Sequence, residues 1–173
     1  MSKAEQYADA LVRKVRAEVN ADLSRYGQCR SFRDLYDVCD ADTFLVEIGE
    51  KFGYPVSDPD WVLGEGEGIE RDGIARVDAE VFDSEFVLGA TERLVRDYIS
   101  QTFPNAHEHA GCTHIEWDGF HMMFDNDDGA LRLGVYTVVG GEVSEAPYIW
   151  VEFRDGATSE QIICIIDALT DLP

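Results

Sequence analysis

The chain of 173 residues is about one ordinary domain long, and its 45% hydrophobic and 11% aromatic content is too high for a disordered segment. Fourteen Lys and Arg against 35 Asp and Glu give a formal charge of -21. That balance argues against direct nucleic-acid binding and against docking on an acidic bilayer, because both draw their affinity from Lys and Arg.

In chain order, apolar residues recur every fourth position at Tyr7, Leu11, Val15, Val19 and Leu23, which predicts one helix over 4–26 that Gly27 stops. Ser31 reads as the N-cap of a short helix reaching about Cys39, and Asp40 or Asp42 as the cap of a third over 43–52, ended by Gly53 and Pro55. Residues 53–73 hold Pro55, Pro59 and glycines at 53, 64, 66, 68 and 73, the composition of a long connection. Within it Asp72-Gly73 suits a hairpin turn between Ile69 and Val77, with a helical start near Asp78 as the alternative. Val87, Thr91, Leu94, Val95, Tyr98, Ile99 and Phe103 return to helical spacing over 84–103, and Pro104 closes it.

After Pro104 the hydrophobic period drops to two. Strands are predicted over 113–117, 120–125, 130–139 and 147–153, with turns at Asp118-Gly119, 126–129 and Gly140-Gly141. Thr158 or Ser159 caps a last helix whose core face is Ile162, Ile165, Ile166 and Leu169. The predicted class is α+β: N-terminal helices, then a four-stranded antiparallel meander and a C-terminal packing helix. The chain divides into a helical, acidic region (1–104) and a sheet-plus-helix region (105–173), with a shared core left open. Charged residues interrupt the first twenty positions, no stretch reaches the ~18 apolar residues of a membrane span, and Cys29, Cys39, Cys112 and Cys164 are scattered. Reduced thiols and a cytoplasmic location are the expectation.

Charge is distributed unevenly. Residues 1–33 carry seven basic and four acidic groups, net +3, which leaves seven basic against 31 acidic, net -24, in the remainder. Between Asp34 and Glu92 there are 17 acidic and three basic residues, and carboxylates repeat at a spacing of two: Asp58/Asp60, Glu65/Glu67, Glu70/Asp72, Asp78/Glu80 and Asp83/Glu85. In extended backbone such pairs point the same way about 6.7 Å apart. One pair repels by only ~0.6 kcal/mol in bulk water, but five sum to a field that attracts a basic partner. Trp61 sits among them and is of the type enriched at interface hot spots. These residues form the candidate partner-binding set, for a basic nucleic-acid-binding protein; a solvated acidic surface is the plain alternative.

The second constellation gathers all four histidines, His107, His109, His114 and His121, with Glu116 and Cys112. If Asp118-Gly119 makes a two-residue hairpin, Glu116 faces His121 across the strands, with His114 on the same face and Ile115, Trp117, Phe120 and Met122 on the other. Imidazole and carboxylate in that arrangement suit zinc or a general base, although the spacing matches no common zinc or metalloprotease pattern. A cross-strand Glu/His pair on a solvated face explains the hairpin part equally well, so no cofactor is assigned and zinc stays a candidate. Cys112 and Ser100 are nucleophile candidates that lack an identifiable orienting partner. No G-x-S-x-G, Walker-type loop or G-x-G-x-x-G occurs, which ranks a binding role above an enzymatic one.

The run from Ser31 to Leu45, Ser-Phe-Arg-Asp-Leu-Tyr-Asp-Val-Cys-Asp-Ala-Asp-Thr-Phe-Leu, resembles a segment of short uncharacterised proteins of actinobacterial phages and mobile elements. The resemblance implies a genomic context and assigns no role to any residue. Compact, very acidic proteins of that origin often resemble inhibitors of host defence, of the anti-restriction or anti-CRISPR type, and the analogy favours that reading. The expectation is therefore an acidic inhibitor, with an acidic immunity protein or antitoxin, or a metal-dependent enzyme using the histidines, as the alternatives.

Overall fold

The computed structural model describes residues 1–39, 42–54, 68–154 and 156–171. The described chain is α+β, with seven helices and an antiparallel sheet of six strands, and it forms two compact units, Met1–Val87 and Leu88–Pro173. Among the described residues no helix is long and apolar enough to cross a membrane.

The first unit is built on α1 (Lys3–Ala21), whose start is fixed by a capping box between Ser2 and Glu5. The helix predicted to continue to Tyr26 breaks at Asp22, whose carboxylate accepts the Arg25 N–H and so caps the separate turn α2 (Leu23–Tyr26). A short acidic side chain here competes for the backbone and wins over the apolar period. Ser31 caps α3 (Phe32–Val38) as predicted, and α4 spans Asp42–Phe52.

The largest departure is α5 (Gly68–Val81), a helix where a connection and a hairpin turn were expected. Ile74, Val77 and Val81 are buried at helical spacing. Gly73 lies inside the helix with negative φ, and a Cβ there would sit 2.7 Å from Cε1 of Tyr7. This glycine serves close approach of α5 to α1 and makes no turn. Tyr7, Leu11, Val15, Phe32, Leu35, Leu45, Val77 and Val81 form the centre of the first core.

Helix α6 (Ser84–Thr102) begins at the end of the first unit: Asp83 accepts the Phe86 N–H at 2.8 Å and serves its first turn. Its residues Val95 and Ile99 belong to the second core, so the division falls within this helix and ahead of Pro104.

The second unit is a meander of β1 (His107–His109), β2 (Cys112–Trp117), β3 (Phe120–Asp127), β4 (Ala130–Val139) and β6 (Ile149–Phe153), with the two-residue β5 (Glu142–Val143) hairpinned onto the end of β4. Four hairpins turn on Ala110-Gly111, Asp118-Gly119, Asp128-Gly129 and Gly140-Gly141, each pair with positive φ at both residues. That is the backbone of the type I′ turn, whose twist matches the strands. The four-strand expectation missed β1 and β5: Ala110-Gly111 is an unconventional turn pair, and β5 is too short to carry a period. Odd positions of β2, even positions of β3 and odd positions of β4 face a core of Ile115, Met122, Phe124, Leu131, Leu133 and Val135. Val95 and Ile99 of α6 and Ile162 and Ile166 of α7 (Ser159–Thr170) complete it. Thr158 and Gln161 form the capping box of α7.

Candidate functional site

The fold scatters the described members of the acidic set. Asp58, Asp60, Trp61, Glu65 and Glu67 lie outside the described residues. Of the remainder, Glu70 is buried, 3% exposed. Asp78 accepts the Phe32 N–H at 2.6 Å and satisfies a free donor in the first turn of α3. Burial raises the Asp78 carboxyl above its ordinary range, and the Phe32 N–H offsets part of that rise. Glu80 pairs with Arg76, and Asp83 caps α6. Asp72 and Glu85 are exposed, and the Glu80 side chain stays 41% exposed beside its arginine. The extended geometry assumed for Glu70/Asp72 and Asp78/Glu80 is therefore corrected: on a helix, residues two apart diverge by about 200°.

Three arginines sit in clusters whose charge stays negative, whereas Lys14 pairs singly with Glu47 at 3.0 Å. Arg76 bonds Asp9 at 2.6 Å as well as Glu80; Arg96 bonds Glu92 at 2.8 Å and Glu108 at 2.9 Å; Arg132 bonds Asp127 and, at 3.3 Å, Glu152. Each of these guanidiniums is matched by two carboxylates.

The histidines, by contrast, converge. All four lie on the face of the sheet opposite the core, where β2 presents Cys112, His114 and Glu116 and β3 presents His121, Met123 and Asp125. His107 pairs directly with His114 across β1 and β2, rings stacked at 5.3 Å, and Glu116 pairs with His121 as the hairpin predicts. His114 is the hub: its Nδ1 lies 2.9 Å from Nε2 of His121, its Nε2 lies 3.3 Å from the His109 carbonyl, and its ring centre is 6.2 Å from that of His109. The other nitrogen of His121, Nδ1, faces Glu116 Oε1 at 3.4 Å. His107 and His109 are exposed, whereas His114 is partly covered, and burial holds its imidazole below the usual range.

Arg96 braces this hairpin from the core side. Besides its carboxylates it donates to Thr113 Oγ1 at 2.6 Å and to the Gly111 carbonyl at 2.7 Å, so α6 grips both strands and the turn between them. The Asn105 amide also donates to the Glu116 carbonyl.

Sequence reasoning missed the neighbours supplied by β4 and β6. Tyr136 pairs with His121, their ring centres 6.4 Å apart, and Gly134 pairs with Trp150. A Cβ on Gly134 would meet Tyr136 at 2.9 Å and Trp150 at 3.1 Å, so the two rings lean over the glycine. Counting outward from the Asp128-Gly129 turn, which pairs Asp127 with Ala130, puts Tyr136 opposite His121 by arithmetic, and that signal was available.

The nucleophile candidates fare poorly. Burial and the nearby Asp125 push the Cys112 thiol up, which disfavours the thiolate. Cys29 is buried in the first unit with its thiol raised to about 11, and Ser100 is an exposed residue of α6. Among the described residues no group of three or more His, Cys, Asp or Glu surrounds a single point as a metal cage would. No protein-family model, curated protein or solved structure matches the chain.

Proposed function

We propose that the protein acts by binding: it is an acidic inhibitor that docks onto a basic, nucleic-acid-handling protein and competes with the nucleic acid for it. The observation that carries this reading is the composition of the ion-pair clusters. With Arg76, Arg96 and Arg132 each held by two carboxylates, local pairing leaves the excess negative charge in place. Exposed Asp34, Asp37, Glu50, Asp72 and Glu85 in the first unit extend the negative field into solvent, while Glu47 is matched by Lys14 at 3.0 Å. Such a field speeds encounter with a cationic surface and selects against acidic ones. No covalent step is involved.

The test is competition. A histone-like, Lys- and Arg-rich DNA-binding protein is loaded with labelled duplex DNA, and release is followed as the chain is added. The chain displaces DNA at low salt, displacement falls steeply toward moderate salt as the Debye length shrinks, and reversing Asp37, Glu50, Asp72 and Glu85 to Lys weakens it. Polyglutamate of matched charge must do less. Displacement that ignores salt and survives the reversals, or that polyglutamate reproduces, removes the mechanism.

A further inference from the structure

The histidine face holds a pair of nitrogens whose surroundings dictate what can sit between them. His114 Nε2 faces a carbonyl, that of His109, and His121 Nδ1 faces the Glu116 carboxylate. Both partners are acceptors, so each of these outer nitrogens carries its ring's N–H. When both rings carry a single N–H, Nδ1 of His114 and Nε2 of His121 are left as two lone pairs 2.9 Å apart, and the same separation fits one further proton shared between them. Two lone pairs that close repel unless a positive centre lies between them.

We propose that His114 Nδ1 and His121 Nε2 form a two-imidazole clamp for one divalent transition-metal ion of the zinc, copper or nickel class. Imidazole is a preferred ligand of this class. Two nitrogens each about 2.05 Å from a metal lie about 2.9 Å apart at the right angle of tetragonal Cu(II) or Ni(II) and about 3.3 Å apart at the tetrahedral angle of zinc; the separation found here is 2.9 Å, so copper and nickel fit it as it stands and zinc needs the rings to open slightly. The outer hydrogen bonds match what metal-bound histidines require: a carboxylate on one ring and a backbone carbonyl on the other, fixing tautomer and orientation. The ligands come from paired strands locked by the Asp118-Gly119 turn, so the clamp does not depend on a loop. Among the described residues only two ligands meet, so the remaining positions are left for water or a second molecule.

The experiment is calorimetric titration of the full chain, free of any affinity tag and pre-treated with chelator, with Zn(II), Cu(II) and Ni(II) salts in turn. One equivalent binds, and His114→Ala or His121→Ala each weakens binding by about tenfold or more. Glu116→Gln, which leaves both ligands in place, weakens it by roughly tenfold, whereas Cys112→Ser leaves it unchanged. Cu(II) bound to the native chain gives an electron paramagnetic resonance spectrum with splitting from two nitrogens, and each alanine variant removes one. Circular dichroism of the variants separates loss of a ligand from loss of fold, and His114→Gln replaces any alanine variant that unfolds. No stoichiometric binding of any of the three ions overturns the proposal and leaves the nitrogen pair to a shared proton. Binding that survives both alanine substitutions, or that disappears with Cys112→Ser, overturns it as well.

Discussion

Helix α5 and the outer face of the sheet start from the same sequence device, polar residues repeated at a spacing of two, and end with opposite results. On the sheet, His107 and His109, then His114 and Glu116, stay together because successive side chains in a strand alternate faces. On α5 the same spacing buries Glu70 and leaves Asp72 in solvent, while Asp78 and Glu80 turn to different partners. A repeat of two is thus a statement about clustering only after the backbone type is known. The acidic candidates were read on an extended chain, and the fold divides the described ones among caps, an ion pair, a buried site and open solvent. The histidine candidates were read on a hairpin, and the hairpin gathered them.

That contrast can be broken most sharply at Glu70 and Asp72. Replacing Glu70 by Lys puts a long cationic chain where the wild type is buried and costs about 3 kcal/mol; Asp72→Lys stays within about 0.5 kcal/mol. Urea midpoints of the two variants measure the difference, and equal effects would mean that both residues share one environment after all.

A somewhat smaller effect is expected from the sheet's brace. Arg96→Ala removes charge-assisted bonds to Thr113, Glu108 and the Gly111 carbonyl and costs about 1.5–3 kcal/mol. Amide hydrogen exchange should show the loss first in β1 and its turn, the three-residue edge strand, with β4 still protected. Uniform loss of protection across the sheet would contradict that local role.

The smallest effect tests the capping duty of an acidic residue once assigned to a binding surface. Asp78→Ala strands the Phe32 N–H and costs about 1 kcal/mol, while Asp78→Asn keeps an acceptor oxygen and is close to neutral. The pH dependence has a definite sign. The Asp78 carboxyl is raised in the folded state, mainly by burial, so the native chain holds its proton more firmly than the unfolded one. Its contribution to stability then falls as pH rises from the ordinary carboxylate range through the raised value. Asp78→Asn abolishes that slope, so its stability relative to wild type improves from acid toward neutral pH. A difference that stays flat between those limits would show that burial does not set this carboxyl.

Much of the architecture was legible because local physics and tertiary structure agreed. The caps Ser31 and Thr158, the stripe of α1, the stop at Pro104 and the Asp118-Gly119 register each follow from a side chain's preference for one backbone geometry. Where they disagreed, tertiary packing decided. Gly73 next to Asp72 signals a turn to any local reading, yet it sits mid-helix because α1 needs the absence of a Cβ to bring Tyr7 close. The spacing of Ile74, Val77 and Val81 already carried the helix, but proline, glycine and acidic residues nearby obscured it. Asp22 ended α1 for a local reason, a side-chain cap, that the apolar period does not encode.

The sequence by itself determined the class of fold, the strand register around the histidines and the negative charge, since these depend on neighbours along the chain, on turn chemistry and on counting. Only the tertiary structure decided which carboxylates are free and which nitrogens meet. Burial of Glu70, the double pairing of Arg76, Arg96 and Arg132, and the 2.9 Å approach of His114 to His121 each join residues from separate elements or strands, or depend on what packs over them. Spacing along a chain sets such distances only within one regular element or across a turn of known type; a nitrogen's aim depends further on side-chain rotation, which the surrounding contacts select.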